Sequence, residues 1–507
     1  MGAQDLNEII ALMKSAQATP DDGIAKSFTQ PASATSGLQY YNLQAPALNL
    51  FPVLTPLRNT VPRLGGGFAI QANWKAFTAI NNTNMRAGLA EGARAGVIGQ
   101  TQAEYFAAFR GYGLENNVSF EAQYAGMGYE DIKARSVTQL LQAMMIQEER
   151  LILGGNTSMQ LGVTPAPSVS AATTGGSLPA ATYSVIAVAL TNQAYQDLVG
   201  VNNGAQGQSF VLANATVQGQ VTRTNADGTT TTYGSGTAQK SANTTVTTTG
   251  STSTVSASVS AVRGAAGYAW FFGAAGSEYL AAITSINSVV FTATVTGTQL
   301  ASALPAADYS TSSLDFDGLL TIASNPTYGA YYVAQATGTP GTGTPLTSDG
   351  AGGIVELDAA LDYFFTRYRL SPSRMIVSSQ EARNISKKII GNGGTPLLRL
   401  TEATNDAGSV LGGGRRVTQY LNKITGQTID IMVHPNQPAG TLMFETSALP
   451  YPLSGVGNVY QMLMRQDYYQ LEWPLRSRKY EFGVYADGVL QHYAPFTMGI
   501  ISNIANG

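Results

Sequence analysis

The stretch Tyr129–Leu153 constrains this chain more than any other. Its apolar residues fall at Val137, Leu140, Leu141, Met144, Met145, Leu151 and Ile152, a three-and-four spacing that lays one stripe along a helix. Glu130 and Asp131 stand in the first turn and Arg150 in the last, each complementing the helix dipole. Gly154-Gly155 then offers a residue that can take the left-handed conformation ending a helix. At 1.5 Å per residue the rod is about 37 Å long, the length of a strut on which the rest of the chain hangs.

A chain of 507 residues exceeds what one core sustains and predicts two to four domains. Only 12% of the residues are charged, about half the typical quarter, and Gly, Ala, Ser and Thr fill the gap. Low charge with a net of −3 fits a surface largely covered by copies of the same chain. The sequence has no cysteine, which excludes disulfides, thiolate metal sites and cysteine nucleophiles and fits a reducing cytoplasm. The opening MGAQDLNEIIALMKSAQ lacks the pattern of a signal peptide. Apolar runs such as Val185–Leu190 fall far short of the roughly 18 residues of a membrane span.

Asp5–Ala16 has the spacing of a short amphipathic helix, and the proline-rich Gln17–Pro62 reads as an extended arm, with a disordered leader as the alternative. Phe68–Ala79 and Glu104–Ala122 are rich in strand-forming residues and flank the small, polar Asn81–Thr101, which carries Arg86, Glu91 and Arg94. This predicts a two-stranded ribbon with a flexible tip, which must rest on something such as a neighbouring subunit.

From Gly162 to Leu314 charges thin out. Strands are predicted at Thr182–Leu190, Val211–Val217, Gln220–Thr224, Thr229–Tyr233, Thr252–Val262, Tyr268–Phe272 and Ser288–Val295, with Asp227-Gly228 as a hairpin turn. The pattern is that of an all-β sandwich; the Thr-rich Ser241–Thr254 leaves a flexible stalk as the alternative.

Beyond Ser313 the pattern is mixed. Asp349 is placed to cap a helix running to about Tyr368. Met375–Val377 is a buried strand, and Ser378 with Glu381 forms a capping box for a helix through Ile390, stopped by Gly391–Gly394. Gly338–Gly353 and Glu402–Gly414 read as mobile loops. The last hundred residues predict six strands: Thr428–Val433, Thr441–Phe444, Val459–Met464, Tyr468–Trp473, Tyr480–Ala486 and Val489–Tyr493.

No catalytic constellation assembles. The two histidines, His434 and His492, have no ligand-spaced partners and read as structural. Nucleophile-elbow, phosphate-loop and dinucleotide motifs are missing. Glu148 and Glu149 read as a solvated or intersubunit face. Arg476, Arg478 and Lys479, flanked by Trp473 and Tyr480, would alternate over both faces of a strand and pair with Glu472 and Glu481. Arg415-Arg416 is equally open to either reading. The negative net charge argues against a dedicated nucleic-acid binder.

Three stretches, GYEDIKARSVTQLLQAMMIQEERLILGGN, ELDAALDYFFTRYRLSPSRMIVSSQEARNI and RQDYYQLEWPLRSRKYEFGVYADGVL, carry a resemblance. In their order, after an arm and a ribbon, they resemble the major capsid proteins of tailed bacteriophages. The resemblance implies an α+β, HK97-type fold. Its parts would be an N-terminal arm (1–64), an E-loop excursion (65–125), a P-domain spine helix (126–162), an A-domain (314–425) and the A-domain remainder with closing P-domain strands (426–507). An immunoglobulin- or fibronectin-like β insertion would occupy 163–313, resembling modules displayed outside phage shells and dispensable for the shell itself. The implied function is structural: self-assembly into hexamers and pentamers of an icosahedral shell around double-stranded DNA, without catalysis, cofactor, metal or membrane. Scaffold, portal or decoration proteins would be further partners, and the place the virion capsid, assembled in the host cytoplasm. Intersubunit contacts are expected at Trp74, Lys75, Arg86, Glu91, Arg94, Glu148, Glu149, Arg476, Arg478 and Lys479. Lys75 lies where some relatives carry a cross-linking lysine, but nothing in the residues calls for that chemistry. The alternative is an adhesin or tail-fibre-like binding protein, which predicts β modules throughout.

Overall fold

The computed structural model describes residues 53–81, 88–128, 130–202, 216–297, 299–304, 306–390 and 416–507. The arm before Val53, including the Asp5–Ala16 helix, therefore lies outside the described residues. So do Arg86, most of Val211–Val217, the Gly391–Gly394 stop, the Glu402–Gly414 loop and Arg415.

The described chain opens with a short helix, Pro56–Thr60, and β1 (Arg63–Leu64). The ribbon follows as β2 (Gln71–Asn81) and β3 (Gly99–Ala108), an antiparallel pair with a bulge beside Phe77. The expected single strand Glu104–Ala122 is broken at the buried Phe109, whose N–H donates to Ile70 O. Beyond this corner, β4 (Arg110–Ser119) joins a different sheet. Ser119 Oγ accepts from Ala122 N and caps a helix, Phe120–Gly126, that the strand reading missed.

The strut is a helix over Ile132–Gly154. Asp131 is its N-cap, with Oδ1 accepting from Ala134 N at 3.1 Å, which satisfies one of the free N–H groups of the first turn. Leu140 and Met144 pack against Val118, Phe482 and Val484. Two expectations fail at its C-terminal end. Gly155 is extended (φ −58°) rather than left-handed, because it runs into close pairing: its carbonyl accepts from Gly318 N at 2.8 Å and Thr321 Oγ1 at 2.6 Å. A Cβ there would stand 2.3 Å from Phe316 O, so glycine is needed for close approach. Arg150 stands four residues before the helix end rather than in its last turn, and it is buried and pairs with Asp197 at 2.6 Å.

The segment 163–313 holds β5 (Ser168–Ala172), β6 (Thr182–Leu190), β7 (Gln220–Thr224), β8 (Thr230–Gly234), β9 (Thr244–Thr247), β10 (Thr254–Ser258), β11 (Gly267–Ala274), β12 (Ser277–Thr284) and β13 (Ser288–Phe291). Sheets β13-β10-β5 and β12-β11-β6-β9 face each other across a core that includes Val185, Trp270, Phe272, Val255 and Phe291, a sandwich as expected. Gly228 (φ +83°) turns the β7–β8 hairpin. The segment is not all-β, however. A helix, Asn192–Asn202, lays Ala194, Tyr195 and Leu198 over Ile186, Val188 and Leu190, so eight consecutive residues of β6, from Tyr183 to Leu190, are buried. The Thr-rich stretch contributes β9 to the sheet and is not a stalk.

The remainder holds a short buried helix, Leu319–Ser324, against the strut's end, then β14 (Tyr331–Ala334), a helix over Val355–Tyr368, β15 (Arg374–Val377), a helix over Ser379–Ile390, β16 (Gln419–Leu421), β17 (Thr428–Val433), β18 (Leu442–Glu445), β19 (Tyr460–Glu472), β20 (Lys479–His492) and β21 (Gly499–Ser502). Six of them form a mixed sheet, β14-β21-β18-β15-β17-β16, and the plate under the strut is β1-β19-β20-β4. Four predicted strands are in fact two, because bulges near Gln466 let β19 continue and β20 runs unbroken. Asp349 does not cap the Val355–Tyr368 helix, whose N-cap, Ile354, has no side-chain bond. Its Oδ1 instead accepts from Ala351 N and Gly353 N at 2.7 Å each, fixing the preceding turn. The loop around it is pinned by the buried Leu346. Ser378 Oγ accepts from Glu381 N as a capping box requires, but Glu381 turns inward to accept from Gly440 N at 3.2 Å.

Candidate assembly surfaces and their anchor

The ribbon has two unlike faces because side chains alternate along a strand. Inward, Ala72 and Trp74 are buried, Trp74 opposes Tyr105 across the pair, and Trp74 Nε1 donates to His492 O at 2.8 Å. The His492 ring stands edge-on to Trp74, Tyr105 and Tyr328, and burial pushes its pKa down to about 4. Trp74 is therefore an internal anchor, which removes it from the expected intersubunit contacts. Outward, Phe77 and Phe106 are 69% and 70% exposed, and in the approach to β2 Phe68 and Ile70 are each 81% exposed. Lys75 and Glu104 bridge at 2.6 Å on the same open face. At the tip Glu91 and Arg94 are exposed.

Glu148 and Glu149 are the sharpest correction. Both are fully buried, so neither is a solvated face nor an intersubunit contact. Glu149 Oε1 accepts from Leu57 N at 2.8 Å and Oε2 from Arg58 N at 2.6 Å, two N–H groups that the first turn of the Pro56–Thr60 helix leaves without helical partners. Oε1 also meets His434 Nε2 at 2.6 Å. His434 Nδ1 accepts from Asn436 N at 3.1 Å, so Nε2 carries the hydrogen and donates. Glu148 receives Arg58 Nε at 2.9 Å, Arg63 Nη1 at 2.6 Å, Tyr112 OH at 2.6 Å and Tyr468 OH. Arg63 also grips Asp467 at 2.5 and 3.1 Å. Burial, with Glu148 beside them, raises both tyrosine pKa values. For Arg63, burial opposes the charge, and the bonds to Asp467 and Glu148 outweigh it.

Sequence reasoning found neither Arg58, Arg63, Tyr112, Asp467 nor Tyr468. A signal existed: Glu148 follows Leu140 and Met144 at steps of four, so it lies on the buried stripe rather than opposite it.

The basic run Arg476, Arg478 and Lys479 is exposed. Arg476 and Arg478 stand in the turn between β19 and β20 and only Lys479 begins β20, so strand alternation does not scatter the three. Arg478 pairs with Glu121 at 2.9 Å, while Glu472 pairs with Lys133 at 2.5 Å instead. The carboxyl of Asp227, on the β7–β8 turn, is held low by Thr229 and, more weakly, by Arg476, which places this hairpin near the basic turn. Among the described residues no group of three or more His, Cys, Asp or Glu could hold a metal ion, and no helix is long and apolar enough to cross a membrane.

No family model matches the sequence, and no curated protein matches it. Among solved structures, the chain is similar to the capsid of the native GTA particle, at 8% identity and TM-score 0.42, covering 94% of this chain and 100% of that one. It is similar also to the capsid of Myoviridae phage XM1, at 10% identity and TM-score 0.39, covering 92% and 97%. A third is the holo-SrpI encapsulin complex from Synechococcus elongatus, at 8% identity and TM-score 0.36, covering 91% and 93%.

Proposed function

We propose that this chain is a major capsid subunit that self-assembles, as hexamers and pentamers, into an icosahedral shell enclosing double-stranded DNA. What carries the reading is the ribbon. It is anchored to its own subunit by one face through Trp74, and its other face offers Phe77 and Phe106 to solvent, with Phe68 and Ile70 exposed just before β2. Eleven residues of β2 span about 36 Å, a reach that suits a contact with a neighbouring copy and not a fold confined to one subunit. The parts also succeed one another as the phage-capsid resemblance implies: arm root, ribbon, long helix, insertion, α/β part and closing strands. The long helix and the mixed six-stranded sheet count against the adhesin reading, which requires β modules throughout.

On this reading the work of the molecule is assembly, not catalysis. Lys75, Glu91, Arg94, Arg476, Arg478 and Lys479 contact neighbouring subunits, joined by Arg86 beyond the described residues. The shell is a virion capsid, built in the host cytoplasm with scaffold, portal or decoration proteins as further partners. The two facing sheets of 163–313 support its immunoglobulin-like reading. Deleting Asn81–Gln100, the ribbon tip and the ends of both strands, should leave a folded subunit that sediments as a small species and forms no closed shells. Shells like those of the unaltered chain would refute the assignment of the ribbon to intersubunit contact.

A further inference from the structure

The Glu148–Glu149 pair is a junction as much as a network, because its partners come from the arm root, the plate and the segment after β17. Leu57 and Arg58 belong to the arm root, and Arg63 to β1, the edge strand of the plate. Tyr112 and Tyr468 belong to β4 and β19 of the same plate. His434 directly follows β17 of the six-stranded sheet, and the two glutamates lie on the strut. Carboxylates this deeply buried persist only when their lone pairs are filled, and here they are filled by donors from three separate parts. Their geometry therefore fixes how those parts sit relative to one another.

We infer that the Glu148–Glu149 pair, with Glu148 held by Tyr112 and Tyr468 of the plate and Glu149 by the arm root and His434, positions the plate against the six-stranded sheet and sets the angle between them, and through it the curvature of the assembled shell. This rests on the capsid reading. The segment after His434 extends the linkage: Asn436 O accepts from Gln196 Nε2 of the insertion at 3.1 Å, and Gly440 N donates to Glu381 of the Ser379–Ile390 helix. A shift at His434 would thus be felt in the insertion and in the Ser379–Ile390 helix. An amide in place of the Glu149 carboxylate keeps the volume but turns an NH2 toward a donor, so one of the three bonds must be lost.

The test is the diameter distribution of particles formed by Glu149→Gln and by Tyr468→Phe, the latter removing one hydroxyl and leaving the ring 5.0 Å from the Arg58 guanidinium. Circular dichroism and sedimentation of the free subunits serve as the folding control. The expected result is a folded subunit whose particles spread over several diameters or remain open sheets. Particles as narrow in diameter as those of the unaltered chain would overturn the inference while leaving the capsid reading intact. Failure of the unaltered chain to form shells would strike the capsid reading itself. If Glu149→Gln does not fold, Tyr468→Phe decides by the same two outcomes.

Discussion

Trp74→Ala separates the ribbon's own stability from that of the body it rests on. Trp74 is 8% exposed and is the largest buried side chain on the ribbon's inner face. Replacing a buried Trp by Ala costs about 3–5 kcal/mol, and losing the Nε1 bond to His492 O adds about 1 kcal/mol. A two-stranded ribbon has little stability of its own, so nearly all of the loss should fall on docking. At about 1.4 kcal/mol per factor of ten, amide exchange in β2 and β3 should rise about a thousandfold to ten-thousandfold, up to the limit set by the ribbon's docking free energy. The amides of β10 and β13 pack in a separate core and should keep their protection. Hydrogen exchange read by mass spectrometry distinguishes the outcomes. Unchanged exchange in the ribbon, or an equal increase throughout the chain, would refute the view that the ribbon is held as a unit by its inner face.

Two further perturbations test other parts of the structure. Burial pushes the Glu381 carboxyl up to about 7, so its charged form is disfavoured in the folded state. Its contribution to stability is full below the unfolded value near 4.5 and is lost as pH rises through about 7, on the order of 3 kcal/mol in all. Denaturation at pH 5 and pH 8 should show Glu381→Gln losing less stability over that interval than the unaltered chain; equal losses would refute the assignment. Replacing 163–313 by a short linker is sterically simple, because Ser312 N donates to Asn156 O at 2.8 Å where the chain enters and leaves the insertion. It removes Asp197 from the buried Arg150, however, and breaking such a pair costs about 3–5 kcal/mol. It also removes the bonds from Arg263 to Ser324 O and from Asn287 N to Asn503. The expected outcome is a subunit of lowered melting temperature; an unchanged melting temperature would refute the view that the insertion braces the strut's end.

Elements whose sequence matches their burial were readable. The strut's stripe, the β6 run and the Asp227-Gly228 turn each state their structure in local periodicity or turn chemistry. What failed depends on partners distant in sequence. Arg150 has the composition of a helix C-terminus, yet its position is decided by Asp197, 47 residues away. Glu148 and Glu149 look like a solvated pair until the arm root and β19, some ninety residues before and 320 after, close over them. The division of β19 and β20 was misread because bulges near Gln466 break the alternation without breaking the strand. Trp74 could be placed on the ribbon but not on a face of it, since its partner His492 lies 418 residues on.

The measurement closest to the central claim is electron microscopy of the purified full-length protein, joined to its sedimentation profile. Self-assembly by the ribbon and its anchored base predicts closed shells, or rings of five and six subunits. Elongated trimers or fibres would contradict it.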